Sequence, residues 1–291
     1  MKLFDERLPF YRANLHTHTT CSDGRRTPAE AMALYREAGY DILAITDHRR
    51  VTATENVPEG LLMLPGIELD FTLPGMAVHI LGLGMSEEIA EVWDAKGTPQ
   101  QAIDAVRACG GEAVLAHPAW SLNTPDFIAS LQHVCATEIW NSVSTLPYNG
   151  DRADSSSLLD VTGASTGRLL PVFASDDTHF YGAEFARGAT MIQAETLTVP
   201  AVMEAIRAGR FYATCGPEIR QITVENGTVH VECSAAEAVV FYSALPWSSH
   251  RCCLGSGLTQ AEYTILPGDH FIRVQVVDAQ GRSAWASPFQ V

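Results

Sequence analysis

Basic side chains are scarce in this chain of 291 residues: 19 Lys and Arg stand against 34 Asp and Glu, a formal net charge of −15. That excess of acid repels phosphate backbones and anionic membrane surfaces unless bound cations reverse the sign locally, so neither long nucleic acids nor membranes are expected partners. Long apolar runs are missing too. No stretch reaches the roughly 18 residues of a membrane span, and MKLFDERLPFYRANLH at the start holds no apolar run of signal-peptide length. A cytoplasmic protein is expected. The seven cysteines form no CxxC pair and no regular spacing, which fits reduced thiols better than a disulfide framework. Internal repeats and low-complexity tracts are absent from the sequence.

What is present is an alternation of short apolar runs and helical stretches from about residue 11 to 214, the pattern of β/α architecture. TPAEAMALYREAGY offers Thr27 as cap, Pro28 in the first turn and Glu30 to close a capping box; TPQQAIDAVRACGG repeats the device with Thr98, Gln101 and a Gly110-Gly111 stop. YDILAITDH, EAVLAHP, TEIWNS and LLPVFASDD read as strands, TVPAVMEAIRAGR as a closing helix, and residues 149–168 as the most loop-like segment. A parallel barrel or sheet is expected. After Gly216-Pro217, IRQITVENGTVHVECS reads as two alternating strands joined at Asn226-Gly227, and further short strands follow, so a small antiparallel β-sandwich is expected over 215–291 behind a domain of residues 1–214.

The chemistry-bearing residues gather at the ends of the apolar runs. His16 and His18 stand two apart and therefore point to one face of a strand, and Asp23 follows in a Ser-Asp-Gly turn. Asp47 and His48 end the second strand; Glu68, His79 and His117 end later ones; Asp176, Asp177 and His179 close the set. In an α/β barrel such strand ends converge on one mouth. Of the ten histidines, six sit at such places, while His230, His250, His270 and the apparently helical His133 are taken as surface or structural.

HTHTTCSDG, ITDH, GIE, LAHP and SDDTH, in this order, resemble the PHP (polymerase and histidinol phosphatase) family of metallophosphoesterases, over roughly residues 11–214. GRFYATCGP leading into a β-rich tail is similar to the subgroup with a small C-terminal β domain. The resemblance implies an α/β fold, a distorted (β/α)7 barrel of PHP type, with two or three divalent metals. It would place His16, His18, Glu68 and Asp177 on a first metal, Glu68, His79 and His117 on a second, and Asp23, His48 and His179 on a third. Mn, Fe and Zn all suit imidazole and carboxylate donors.

Asp47 and Asp176 are expected beside the ligands, orienting imidazoles or moving a proton. Arg49 and Arg50, with Arg152 and Arg187 as weaker candidates, are expected to clamp an anionic substrate group or else to stand as solvated loop arginines. The expected function is hydrolysis of a phosphate ester, monoester or cyclic diester, of a small metabolite such as a sugar or nucleotide phosphate, by a metal-bridging hydroxide. Two alternatives are an esterase or amidohydrolase like the carbaryl-hydrolase group and a non-catalytic metal-containing binding protein.

Overall fold

The computed structural model describes residues 1–86 and 88–291. In chain order the barrel half comprises β1 (Phe10–Asn14), α1 (Pro28–Glu37), β2 (Ile42–Ile45), β3 (Leu62–Leu73), β4 (Met76–Leu83), α2 (Ile89–Val92), α3 (Pro99–Ala108), β5 (Glu112–Leu115), α4 (Pro125–Ser130), β6 (Val134–Asn141), α5 (Ser156–Thr166), β7 (Val172–Ser175), β8 (Ala189–Gln193), α6 (Val199–Arg207) and β9 (Phe211–Thr214). Helices α1 and α3 start at complete capping boxes, Thr27 with Glu30 and Thr98 with Gln101, each with Pro in the first turn. Each cap is worth about 1 kcal/mol by satisfying backbone N–H groups that have no partner inside the helix.

The sheet is mixed rather than parallel throughout. Strands β1–β2, β2–β3, β5–β6 and β6–β7 pair in parallel, whereas β3–β4 and β4–β5 are antiparallel. The reason is local: Pro74-Gly75 turns the chain back at once, and Gly75 takes a φ of +80° that a side chain would resist. A two-residue turn leaves no room for a crossover helix. Glu68 and His79 therefore lie inside a long hairpin, not at strand ends as expected.

On the other side, β8 runs antiparallel to β1 from Phe10 to Ala13, and β9 continues the ladder beyond it. The segment that follows β1 instead meets the segment that follows β7. Asp176 N donates to Asn14 Oδ1 (2.8 Å), Asp177 N to His16 O (2.9 Å) and His18 N to Thr178 O (3.0 Å), closing the barrel at its mouth with a parallel Thr17–Thr178 bridge. The interior is filled by small and branched side chains including Ala13, Leu15, Ile42, Ala44, Leu81, Val114, Ala136 and Phe173.

Two further expectations are corrected. Residues 149–168 are not mainly loop, because α5 spans Ser156–Thr166. Its Ser, Thr and Gly content lowers helix propensity, yet the hydroxyls of Thr162, Ser165 and Thr166 bond carbonyls one turn back and Arg273 grips Asp160. His133 is not helical; it takes a φ of +63° in the bend before β6.

Beyond Thr214 come β10 (Ile219–Glu225), β11 (Thr228–Tyr242), β12 (Cys252–Thr264), β13 (Phe271–Val277), β14 (Ser283–Ala286) and β15 (Phe289–Gln290). Asn226 and Gly227, both with positive φ, make the tight turn between β10 and β11. All pairs here are antiparallel, but β14 also pairs with β9, so one sheet runs unbroken from the barrel wall into the tail. Phe4 and Tyr212 join the apolar core of this region.

Candidate metal centre

Nine side chains from β1, β2, β3, β4, β5 and β7, or the loops that leave them, meet at the mouth. His16 Nε2 lies 3.2 Å from Glu68 Oε1 and 3.2 Å from Asp177 Oδ1. His18 Nε2 lies 3.1 Å from Glu68 Oε2 and 3.1 Å from the same Asp177 oxygen. Glu68 also meets His79 Nδ1 (2.8 Å), His117 Nε2 (3.5 Å) and His48 Nδ1 (3.2 Å). Further out, Asp23 Oδ2 faces His48 Nε2 (3.7 Å) and His179 Nε2 (3.5 Å).

The donor atoms fall into overlapping groups that could each hold an ion: His16, His117 and Asp177; His16, His18 and Glu68; Glu68, His79 and His117; and His18, Asp23, His48 and His179. The chemistry of the set fits divalent metal ions. Asp177 Oδ1 is buried among imidazole nitrogens yet has no hydrogen-bond partner among the described residues, and neither has His48 Nδ1. Unpaired buried polar atoms are costly unless something else binds them, and a cation shared by carboxylate and imidazole would do so. Glu68 belongs to two of these groups, one with His16 and His18 and one with His79 and His117.

The charges support one another without any ion. Burial pushes Asp177 and Glu68 up, but the imidazoles around them outweigh it and hold both well below the carboxylate range: His16, His18 and His179 act on Asp177, and His16 and His79 on Glu68. Burial pushes His16 down, and Asp177, Glu68 and Glu138 reverse this, leaving it well above its ordinary value. His179, pushed down by burial and up by Asp23 and Asp177, ends at about 9, and Asp23 is lowered to about 2 by its bond to His179.

The backbone is bent to deliver these groups. His117 and Asp177 take φ of +28° and +52°, a region that costs non-glycine residues of order 1–3 kcal/mol. At the first turn, Gly24 is required because a Cβ there would meet His18 O at 2.3 Å. Its N–H bonds Thr19 O (2.9 Å), which folds the segment that carries Asp23.

Asp47 and Asp176 do not orient imidazoles. Asp47 accepts from Thr19 N (2.7 Å), Thr19 Oγ1, Ser22 Oγ and Thr52 Oγ1, and so fixes the Asp23 turn. Asp176 accepts from Tyr35 Oη, Ser142 Oγ and the N–H groups of Ala186, Arg187 and Gly188. Burial, the largest influence, pushes its carboxyl up to about 6 against those five donors. Neither lines the mouth, so neither is placed to pass a proton to a substrate.

The orienting role belongs to Glu138, which the sequence reading missed. Its Oε1 accepts from His16 Nδ1 (2.9 Å), and its Oε2 from His117 N (2.9 Å) and Asn141 Nδ2 (2.8 Å). It was legible only as one carboxylate inside a buried apolar strand, VCATEIWN.

The four arginines fall elsewhere. Arg49 is held in a two-pronged pair by Asp70 (2.9 and 2.6 Å), which also lies 3.4 Å from His48 Nδ1. Arg50 reaches only Cys21 O, and Arg152 is exposed outside the mouth. Arg187 lies on the outer wall. The mouth itself is a cavity of about 250 Å³ bounded by Trp120, Val143, Ser144, Tyr148, Asn149 and Phe180 besides the cluster. Tyr148 and Phe180 are 69% and 38% exposed and meet edge to face at its rim.

No family model matches the chain. A solved two-domain protein from Bacteroides vulgatus, described as containing a predicted PHP-like metal-dependent phosphoesterase, superposes with a TM-score of 0.56 at 15% identity over 99% of this chain and 96% of that one. The fold is thus similar to that of this PHP-like neighbour: a distorted α/β barrel, extended by a β tail, around a candidate metal centre. Closer in sequence but shorter in reach are two curated exoribonucleases. The 5′-3′ exoribonuclease Rnm of Salmonella typhimurium is 34% identical over 79 residues, 25% of this chain and 27% of that protein, and the 5′-3′ exoribonuclease of Haemophilus influenzae is 28% identical over 79 residues. The matched segment spans less than a third of either relative's length. An expectation of no nucleic-acid partner finds no support in that company. No described helix is long and apolar enough to cross a membrane.

Proposed function

We propose that the protein hydrolyses a phosphate ester, monoester or cyclic diester, of a small metabolite such as a sugar or nucleotide phosphate. The observation that carries this is the Asp177–Glu68 pair, two buried carboxylates that both face Nε2 of His16 and Nε2 of His18. His16, His18, Glu68 and Asp177 would hold one ion, Glu68, His79 and His117 a second, and Asp23, His48 and His179 a third, the last group open to solvent through Asp23. When bound, two or three ions such as Mn, Fe or Zn supply Lewis acidity and a water acidic enough to ionise near neutral pH.

The chain's own contribution is orientation and exclusion of water. Glu138 fixes His16 through Nδ1, and Ser121 Oγ meets His117 Nδ1 (2.9 Å), which turns Nε2 of each inward. Trp120, Tyr148 and Phe180 give the organic part of a substrate an apolar wall. Arg25 lies over Phe180 (4.7 Å to the ring centre) and forms no ion pair among the described residues, so it replaces Arg49 as the candidate anchor for an anionic group.

A second reading, cleavage at the 5′ end of an RNA, is favoured by the partial likeness to the exoribonucleases and by the same aromatic wall, on which bases could stack. The test is hydrolysis by the Mn-loaded protein of 4-nitrophenyl phosphate, read as released phosphate, of a 2′,3′-cyclic nucleotide, read as ring opening to the monoester, and of a short 5′-phosphorylated RNA, read as released nucleotides. Hydrolysis of the first two supports the small-ester reading, and nucleotide release from the RNA alone favours the second. Bound metal with cleavage only of an aryl carbamate or ester would overturn both in favour of a carbonyl hydrolase.

A further inference from the structure

A cavity larger than the mouth of the metal centre lies elsewhere. It lies on the outer wall, where barrel and β tail meet, with a volume of about 660 Å³, and shares no lining residue with the mouth. Its floor follows from strand register: Arg12 pairs with Met191 and Met191 with Tyr212 across β1, β8 and β9, while Ala189 pairs with Thr214 on the same face. In a β/α barrel a helix normally covers such a face. Here the strands are antiparallel and the chain passes from β9 straight into the tail, so that face is left as a hollow walled by the 186–187, 215–218 and 280–282 segments.

In a chain of net charge −15, this hollow carries the opposite sign. Arg12, Arg187 and Arg282 line it against one acid, Glu218. Arg282 is paired with Asp278, and Glu218 with Arg220. Arg12 and Arg187 form no ion pair among the described residues: Arg12 bonds Ala38 O and Tyr40 Oη, and Arg187 only Ala183 O. The Arg282 guanidinium lies close against Gly216, within 2.6 Å of where a Cβ would stand. Beside the cations stand apolar surfaces, Trp140, Met191 and Tyr212. Guanidinium groups facing an apolar wall are the chemistry of an organic dianion, because the forked donors match phosphate oxygens and the wall takes the carbon skeleton.

We propose that this hollow is a binding site for a small organic phosphate, separate from the metal centre. Its place suggests an effector rather than a substrate. The segment bearing Arg187 supplies the three N–H groups that hold Asp176, the residue next to Asp177. A ligand that draws on the Arg187 side chain therefore acts on the segment that sets a metal-ligand position.

Phenylphosphonate, an aryl dianion that cannot be hydrolysed, is the probe, titrated calorimetrically into metal-free full-length protein. Wild type should bind it, Arg187→Glu should weaken binding tenfold or more, and His179→Ala should leave this site within twofold. Arg187 is exposed, so the variant should melt with wild type; Arg282→Gln provides a second variant and should weaken binding in the same direction. An unchanged affinity in Arg187→Glu, binding lost only in His179→Ala, or no binding to wild type would each overturn the proposal. None of these outcomes bears on whether the metal centre hydrolyses phosphate esters.

Discussion

Replacing Glu138 by Gln should weaken metal binding with little change of shape. The carboxylate serves three donors at once, His16 Nδ1 on one oxygen and His117 N with Asn141 Nδ2 on the other. An amide has one acceptor and one donor end, so it must fail one side. With its oxygen toward His16, its NH2 meets the His117 N–H and the Asn141 amide, leaving buried donors unpaired at about 1–3 kcal/mol each. With its NH2 toward His16, Nδ1 must accept, which puts the ring proton on Nε2, the atom that faces Glu68 and Asp177. Ligation through Nε2 requires the proton on Nδ1, so in the second arrangement that proton would face the amide NH2. Loss of such an orienting partner typically costs 10–100-fold in metal affinity, or about 1.4–2.8 kcal/mol. For a chain of this size that corresponds to a melting shift of roughly 3–10 °C, seen in the metal-loaded form and largely absent when a chelator is present. Metal titration with melting curves in both states measures it. An affinity within twofold of wild type would refute the claim that Glu138 sets the His16 tautomer.

Other perturbations test other parts. In the metal-free protein His179 is raised from 6.5 to about 9, so the stability it contributes is complete below pH 6.5 and is lost as pH rises through 9. At most about 3 kcal/mol is involved, and urea midpoints between pH 6 and 10 should fall accordingly. Metal-loaded protein, whose imidazoles stay neutral, should lack that slope, and a flat metal-free profile would contradict the charge assignment. Gly24→Ala should displace the turn carrying Asp23, because its Cβ meets backbone rather than a movable side chain; metal analysis should show one ion fewer per chain, and full occupancy would exclude this role. Asp160→Ala should cost roughly 3 kcal/mol by stranding Arg273, which is 1% exposed and bonded twice to Asp160. Denaturant unfolding should show much of that recovered in the double variant with Arg273→Met, and no recovery would mean the loss is packing rather than stranded charge.

The sequence disclosed what is decided locally. Both capping boxes are complete within four residues of chain, and Asn226-Gly227 needs only its own torsions, so each appears in the structure where its residues stand. The donor residues were legible for another reason: one imidazole or carboxylate at the end of an apolar run is more often structural, but six such places in one chain compound the inference. What stayed hidden depends on partners far along the chain. Helix α5 is a poor helix by composition and is tied down by Arg273 from the tail, 113 residues away. Arg49 looked free because Asp70, 21 residues on, occupies it only once β3 has been laid beside the second strand end.

The strained positions carry this furthest. Nothing in LAHP or SDDTH indicates that His117 and Asp177 leave their strands with positive φ. What holds them is again distant: His117 N donates to Glu138, and Asp177 N donates to His16 O across the barrel seam. Each bond returns about 1 kcal/mol against a strain of the same order. The centre is thus built from residue types visible in the sequence and aimed by bonds that exist only after the barrel has closed. Substitutions at those bonding positions should therefore weaken the metal centre without touching a single ligand.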